Sequence, residues 1–303
     1  MATVRDPSPT PSVRDGICAG RVVIVTGAGQ GLGAAHARAF AEAGATVVLN
    51  DLGPDVQTVA DELAAQGHPV LVVRGDIADW EFACELIATT VDRFGELHTL
   101  VNNAGINRDR MLATVSEDEW DAVIRVNLKG HAATMRHAVA HWRARHKEGR
   151  PVAARVVNTS SGAGLFGSVG QGNYAASKAA ILALTQVAAA EWGRYDVLVN
   201  AIAPSARTPM TEAVFADQMA APEEGFDAMD PANISPVVVW LGSDRANVTG
   251  RTLEVAGGQV WLCEGWAHGP SLDAGRRLDP AELTDIVASL ESRAQPVTPV
   301  YGA

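Results

Sequence analysis

The 303-residue chain carries 35 acidic and 24 basic side chains, a net charge of −11 at pH 7, and 47% of its residues are hydrophobic. That balance offers no electrostatic footprint for nucleic acid or an anionic membrane, and it leaves ample apolar material for a core. No apolar run approaches the roughly 20 residues of a membrane-spanning helix.

The first twenty residues are rich in Pro and Ser and lack the apolar stretch of a leader, so they read as a disordered tail. Three cysteines, Cys18, Cys84 and Cys263, have no metal-ligand spacing, which points to a reduced, cytoplasmic protein without a bound metal. From residue 21 two textures alternate. Short β-branched runs stand at 21–27, 45–51, 69–76, 97–105, 154–161, 196–204 and 250–258. They are apolar without strict alternation, as strands buried on both faces should be. Ala/Leu-rich segments with helical spacing lie between them at 31–43, 55–66, 80–94, 116–147, 173–193 and 231–242. The pattern predicts one α/β domain over 21–260, a doubly wound sheet of about seven parallel strands with helices on both faces. Residues 261–303 read as a C-terminal extension that packs on the domain or on a neighbouring subunit. The stretch 259–270 is read as lacking a strand partner, so Trp261 and Trp266 are expected to bury themselves on the domain or at the mouth of a substrate pocket.

"TGAGQGLG" follows the first strand and opens the first helix. Gly27, Gly31 and Gly33 suit a tight turn, a close approach to a ligand and a close helix–strand contact, and the free N–H groups at the helix start favour a phosphate. This is the setting of a dinucleotide in a Rossmann sheet. Asp51 ends the second strand, where a carboxylate accepts hydrogen bonds from the adenosine ribose and repels a 2′-phosphate. No base follows it in "DLGPD", and Gln30 occupies the glycine loop, so NAD is expected rather than NADP. Asp51 has a plainer reading as a turn cap. Asp76 in "RGDIAD" is read either as an adenine contact or as the cap of the helix at 80.

"NYAASKAA" puts Tyr174 and Lys178 four residues apart, on one helix face. Tyrosine is a poor base near its ordinary pKa of 10, but a neighbouring cation favours the phenolate. Ser161, with Ser160 beside it, closes a strand end where such sheets place their ligands. Each of these residues has a plain structural reading alone. Together, "TGAGQGLG", "NNAG" at 102–105, Asn127 in "VNLKG", Ser161 and "YAASK" resemble the short-chain dehydrogenases/reductases over about residues 20–260. The resemblance implies that Ser161 polarises the substrate oxygen, Tyr174 exchanges its proton, Lys178 lowers the tyrosine pKa and holds the nicotinamide ribose, and Asn127 holds a relay water. It also implies cofactor contacts from Leu32, Ile77, Asn103, Ala104, Gly105, Pro204 and Thr208. Ser205 departs from the family's usual Pro-Gly.

"NDLG", "NAIAPSARTPMTEAV" and "ISPVVVWLGSD" look like the dehydrogenase part of peroxisomal multifunctional β-oxidation enzymes and like actinobacterial relatives acting on acyl-CoA or steroid-CoA esters. This implies an NAD-dependent dehydrogenase of a 3-hydroxyacyl-CoA or steroid-type alcohol, working as a homodimer or homotetramer. An NADPH-dependent 3-oxoacyl carrier-protein reductase and a non-catalytic NAD-binding scaffold are the alternatives. The substrate pocket is expected from 205–230 and the C-terminal extension. His137 and His141 lie one turn apart but have no nearby Cys or acidic partner, and they read as a solvated helix face.

Overall fold

The computed structural model describes residues 16–209, 221–222 and 224–301. The tail up to residue 15 and much of the 205–230 segment lie outside the described residues. Residues 16–20, grouped with the tail by composition, instead form a turn against the body. Cys18 is fully buried, and its N–H donates to the Ala43 carbonyl at 3.0 Å. The apolar pair Ile17–Cys18 is what carries this turn into the core.

Seven parallel strands form as expected: β1 (Val22–Thr26), β2 (Thr46–Asn50), β3 (Val70–Val72), β4 (Thr99–Asn102), β5 (Ala154–Thr159), β6 (Val197–Ser205) and β7 (Thr252–Ala256), in the order β3-β2-β1-β4-β5-β6-β7. β1, β2, β4 and β5 are buried along nearly their whole length, which is why their sequences do not alternate. One face is covered by α1 (Gly31–Glu42), α2 (Val56–Ala65) and α8 (Ser235–Gly242). The other is covered by α3 (Trp80–Phe94), α5 (Gly130–Lys147) and α7 (Gly172–Trp192), with Trp142 fully buried and its indole N–H donating to the Leu97 carbonyl at 2.7 Å. Strand order reverses between β1 and β4, so the carboxyl ends of these strands open the crevice in which this fold binds its ligands.

Two expectations need correction. The helix expected over 116–147 is not continuous. A capping box between Ser116 and Glu119 starts α4 (Glu117–Val123), a π turn covers Ile124–Lys129, and α5 resumes at Gly130. The second concerns the extension. β8 (Gln259–Cys263) pairs antiparallel with β7 across the two-residue turn Gly257–Gly258, and Trp261 stands opposite Glu254. The strand at 259–263 therefore does have a partner. Trp261 nevertheless remains 44% exposed and Trp266 fully so, and neither reaches the cavity described below. Past β8 the extension carries a short helix, α9 (Leu283–Glu291). No helix among the described residues is long and apolar enough to cross a membrane.

Candidate active site

A cavity of about 420 Å3 lies at the carboxyl ends of the strands and runs from Asp51 and Asp76 to Tyr174 and Lys178. Its floor is the glycine loop between β1 and α1. Gly27 has φ +65°, and a Cβ there would lie 2.8 Å from the Ala104 Cα. At Gly33 a Cβ would meet the Gly27 carbonyl oxygen at 1.9 Å, so this glycine locks helix to strand and stands behind the cavity wall. Asn103 fastens the floor by donating to the carbonyls of Thr26 and Gly27 at 3.0 and 3.2 Å. Asp51 accepts from Gly29 N–H through one carboxylate oxygen and from Gly53 N–H through the other, both at 2.9 Å. It thus caps the turn and faces the cavity as well. Asp76 does not cap α3, which Asp79 caps through the N–H groups of Glu81 and Phe82. Asp76 accepts from Ala78 N–H at 2.9 Å and pairs with Arg125. Burial pushes its carboxyl up, but the Arg125 guanidinium and the Ala78 N–H outweigh this and hold it below its ordinary value.

At the inner end, Ser160 and Ser161 part company. Ser160 is buried and donates to the Lys178 carbonyl at 2.8 Å. Ser161 N-caps the short helix α6 (Gly162–Phe166), accepting from Ala163 N–H at 3.2 Å, and its hydroxyl stands beside the Tyr174 phenol, where it favours the phenolate. Lys178 is buried, with Nζ donating to the Thr159 carbonyl at 2.8 Å and lying 5.6 Å from the Tyr174 ring centroid. The start of α7 is stapled to loop 103–111. Asn173 donates to the Arg108 carbonyl and accepts from Tyr174 N–H, Gln171 donates to Asp109, and Arg110 N–H donates to the Gly170 carbonyl. Asn127 lies in the π turn, fully buried. It exchanges hydrogen bonds with the N–H and C=O of Ile106 (2.8 and 3.0 Å) and donates to Ser177. A phenol and a hydroxyl side by side, with a buried amine next to them, can hold an oxygen atom and exchange its proton.

The family profile described as short chain dehydrogenase matches residues 21–219. The chain belongs to the short-chain dehydrogenase family. A crystal structure of a short chain dehydrogenase from Mycobacterium avium superposes with TM-score 0.88 at 57% identity, covering 95% of this chain and all of that one. Among curated proteins, the hydroxyacyl-CoA dehydrogenase ChsB1 of Mycobacterium tuberculosis is 46% identical over 88% of this chain and 86% of its own. The mouse peroxisomal multifunctional enzyme type 2 is 38% identical over 80% of this chain, which spans only 32% of that larger protein. Membership makes the chain an oxidoreductase and implies a nicotinamide dinucleotide as its cofactor.

The residues of this short-chain dehydrogenase suit such a cofactor. The first-turn N–H groups of α1 begin at the cavity floor beside Gln30, Gly31 and Leu32. Gly31 has φ +53°, a backbone conformation in which a side chain would be strained. Thr159 lines the same cavity with a buried, unpartnered hydroxyl. Of the residues expected from sequence, the structure brings to the cavity Gly27, Gln30, Gly31, Leu32, Asp51, Asp76, Ile77, Asn103, Ala104, Gly105, Ser161, Tyr174, Lys178, Pro204 and Thr208. Gly33 and Asn127 stand behind it.

The electrostatics depart from expectation. At Tyr174 burial is the largest influence. Burial pushes the phenol above its ordinary value, the Ser161 hydroxyl opposes that, and the Asp109 carboxylate adds to it. Lys178 itself is pushed down to about 7 by burial. Sequence reading also missed several groups. His131 is buried behind the pair and pushed down to about 3 by burial and by Lys178, so it stays neutral. Arg125 lines the cavity and pairs with Asp76, and Arg74 donates to the Leu52 carbonyl at 3.1 Å. His141 is no free surface residue, because with Arg145 it pairs with Glu96, 45 residues away.

Proposed function

We propose that the protein is an NAD-dependent dehydrogenase that interconverts a secondary alcohol and a ketone, with a 3-hydroxyacyl-CoA or steroid-type thioester as substrate, in the cytoplasm. The observation that carries this reading is the meeting of Ser161, Tyr174 and the buried Lys178 at the inner end of one cavity. Ser161 orients the substrate oxygen towards Tyr174. Tyr174, deprotonated, takes the hydroxyl proton in oxidation and returns it in reduction. Lys178 and the Asn103–Gly105 floor would hold the nicotinamide ribose, and the α1 N-terminus would hold the pyrophosphate. The bound nicotinamide accepts or supplies the hydride. Asp51 would accept the ribose hydroxyls, and its carboxylate is the reason for preferring NAD. The name of the M. tuberculosis relative, a hydroxyacyl-CoA dehydrogenase, supports an acyl-CoA substrate.

The test is turnover of a panel from short-chain 3-hydroxyacyl-CoA to a steroid-type thioester, with a simple secondary alcohol for comparison and NAD or NADP in turn, followed by absorbance of the reduced cofactor. Turnover of the thioesters with NAD, abolished in Tyr174→Phe while NAD affinity persists, is the expected result. A preference for NADP, or turnover retained within a few-fold by Tyr174→Phe, refutes the reading.

A further inference from the structure

The chain leaves the body after β8 and returns to it at Val300–Tyr301. There the backbone of Tyr301 joins the loop between Ser161 and Tyr174. Val169 N–H donates to the Tyr301 carbonyl at 2.9 Å, and Tyr301 N–H donates to the Gly167 carbonyl at 3.3 Å. The Tyr301 ring stands where a side chain on residue 162 would stand, since a Cβ on Gly162 would lie 2.8 Å from the Tyr301 Cε2. It meets Phe166 edge to face at 6.0 Å between centroids, and its hydroxyl lies near the Glu254 carboxyl on β7. On the opposite side of α6, Gly164 touches α7 at the catalytic lysine: a Cβ there would be 2.7 Å from the Lys178 carbonyl carbon. The helix that Ser161 caps is therefore wedged between Tyr301 and the backbone of Lys178, with a glycine at each contact.

We propose that Tyr301 is a positioning residue, a clamp that presses α6 onto α7 and so sets the place of Ser161 relative to Tyr174 and Lys178. The proposal rests on the reading of Ser161 and Tyr174 as the reacting pair. Five-residue α6 has too few internal hydrogen bonds to fix its own place, so its position comes from what packs on either side. Loss of the ring lets Ser161 drift, and a drift of a few tenths of an ångström at a reacting oxygen lowers kcat by roughly tenfold. It also draws away the hydroxyl that favours the phenolate, so the rising limb of the kcat/KM profile for alcohol oxidation moves to higher pH.

The experiment compares Tyr301→Ala, Tyr301→Phe, Gly162→Ala and the double variant Gly162→Ala/Tyr301→Ala, reading kcat, KM, the pH profile and NAD affinity. Tyr301→Ala and Gly162→Ala should each lower kcat and shift the profile to higher pH, with NAD affinity within twofold. Tyr301→Phe keeps the ring and should stay near the parent. The double variant should recover part of the Gly162→Ala loss, because the added methyl then has room. An unshifted profile in both single variants overturns the proposal, whether or not the melting temperature falls. If Tyr301→Ala does not fold, Gly162→Ala decides alone. Tyr174→Phe, run alongside, separates the two ideas: activity surviving in it refutes the reacting pair, whereas an inactive Tyr174→Phe with unshifted Tyr301 and Gly162 variants refutes only the clamp.

Discussion

Replacing Lys178 by Met should make the protein's stability less dependent on pH, and the size of the effect can be worked out. Lys178 is 2% exposed, and burial takes its pKa from 10.5 to about 7. Between those values the unfolded chain binds a proton that the folded chain does not, so stability rises with pH by about 1.4 kcal/mol per pH unit, and is lost as pH falls, until the folded lysine also protonates near 7. From pH 7 to pH 9 the group contributes about 2 kcal/mol of added stability, and over the whole window about 5 kcal/mol. For a domain of this size 2 kcal/mol corresponds to roughly 4 °C in melting temperature. Lys178→Met keeps the length and apolar stem but cannot titrate. It also leaves the Thr159 carbonyl without its Nζ donor, a loss of about 1–3 kcal/mol. That loss is the same at both pH values, so it moves the offset and leaves the slope untouched. Thermal unfolding of parent and variant at pH 7 and pH 9 reads the slope directly. Parallel pH dependences would show that the lysine is not desolvated as the structure has it.

Three shorter predictions concern the glycine loop, cofactor choice and assembly. Gly33→Ala should cost several kcal/mol or prevent folding, because the new methyl would overlap the Gly27 carbonyl oxygen; a melting temperature within 2–3 °C of the parent would contradict it. Asp51→Ala should narrow the ratio of NAD to NADP kcat/KM, and an unchanged ratio would remove Asp51 from cofactor choice. The exposed stripe Ala179, Ala183 and Val187 on α7 should pair across a two-fold axis, so light scattering should give a dimer or tetramer and not the 31.7 kDa monomer.

Much of the architecture was legible because burial on both faces writes parallel strands as plain apolar runs, and those runs fell where β1 to β7 form. Local motifs carried well too. The glycine loop, Asp51 and the Tyr174–Lys178 pair depend on spacings of a few residues, and the fold delivers them to one cavity. β8 escaped although its signal was present: "AGGQ" is a two-residue Gly-Gly hairpin turn, with Ala256 opposite Gln259, and the tryptophans after it drew the reading towards a pocket instead. The π turn has no pattern of its own in sequence, since "VIRVNLKGH" reads as ordinary helix. Other misses are long-range pairings that no spacing announces. Arg125 meets Asp76 across 49 residues, and Glu96 meets His141 across 45. The burial that raises the Tyr174 phenol and lowers Lys178 was not legible either, because adjacency on a helix says nothing about how deeply two groups are buried.

That burial makes the tyrosine's charge state depend on few neighbours, and one of them can be removed without disturbing the chemistry. Burial and the Asp109 carboxylate both oppose the phenolate, and the Ser161 hydroxyl favours it. Asp109 is held by Gln171 at 3.1 Å through one oxygen, and its other oxygen is buried without a partner. Asp109→Asn keeps the shape and can keep the Gln171 bond through the amide oxygen, but it removes the negative charge facing Tyr174. The tyrosine pKa should then fall, and the rising limb of the kcat/KM profile for alcohol oxidation should move to lower pH. The sign is opposite to that expected when Ser161 is displaced, so the two changes test one account of a single proton from both directions. A profile that stays put or moves to higher pH in Asp109→Asn would mean that the limb reports a group other than Tyr174.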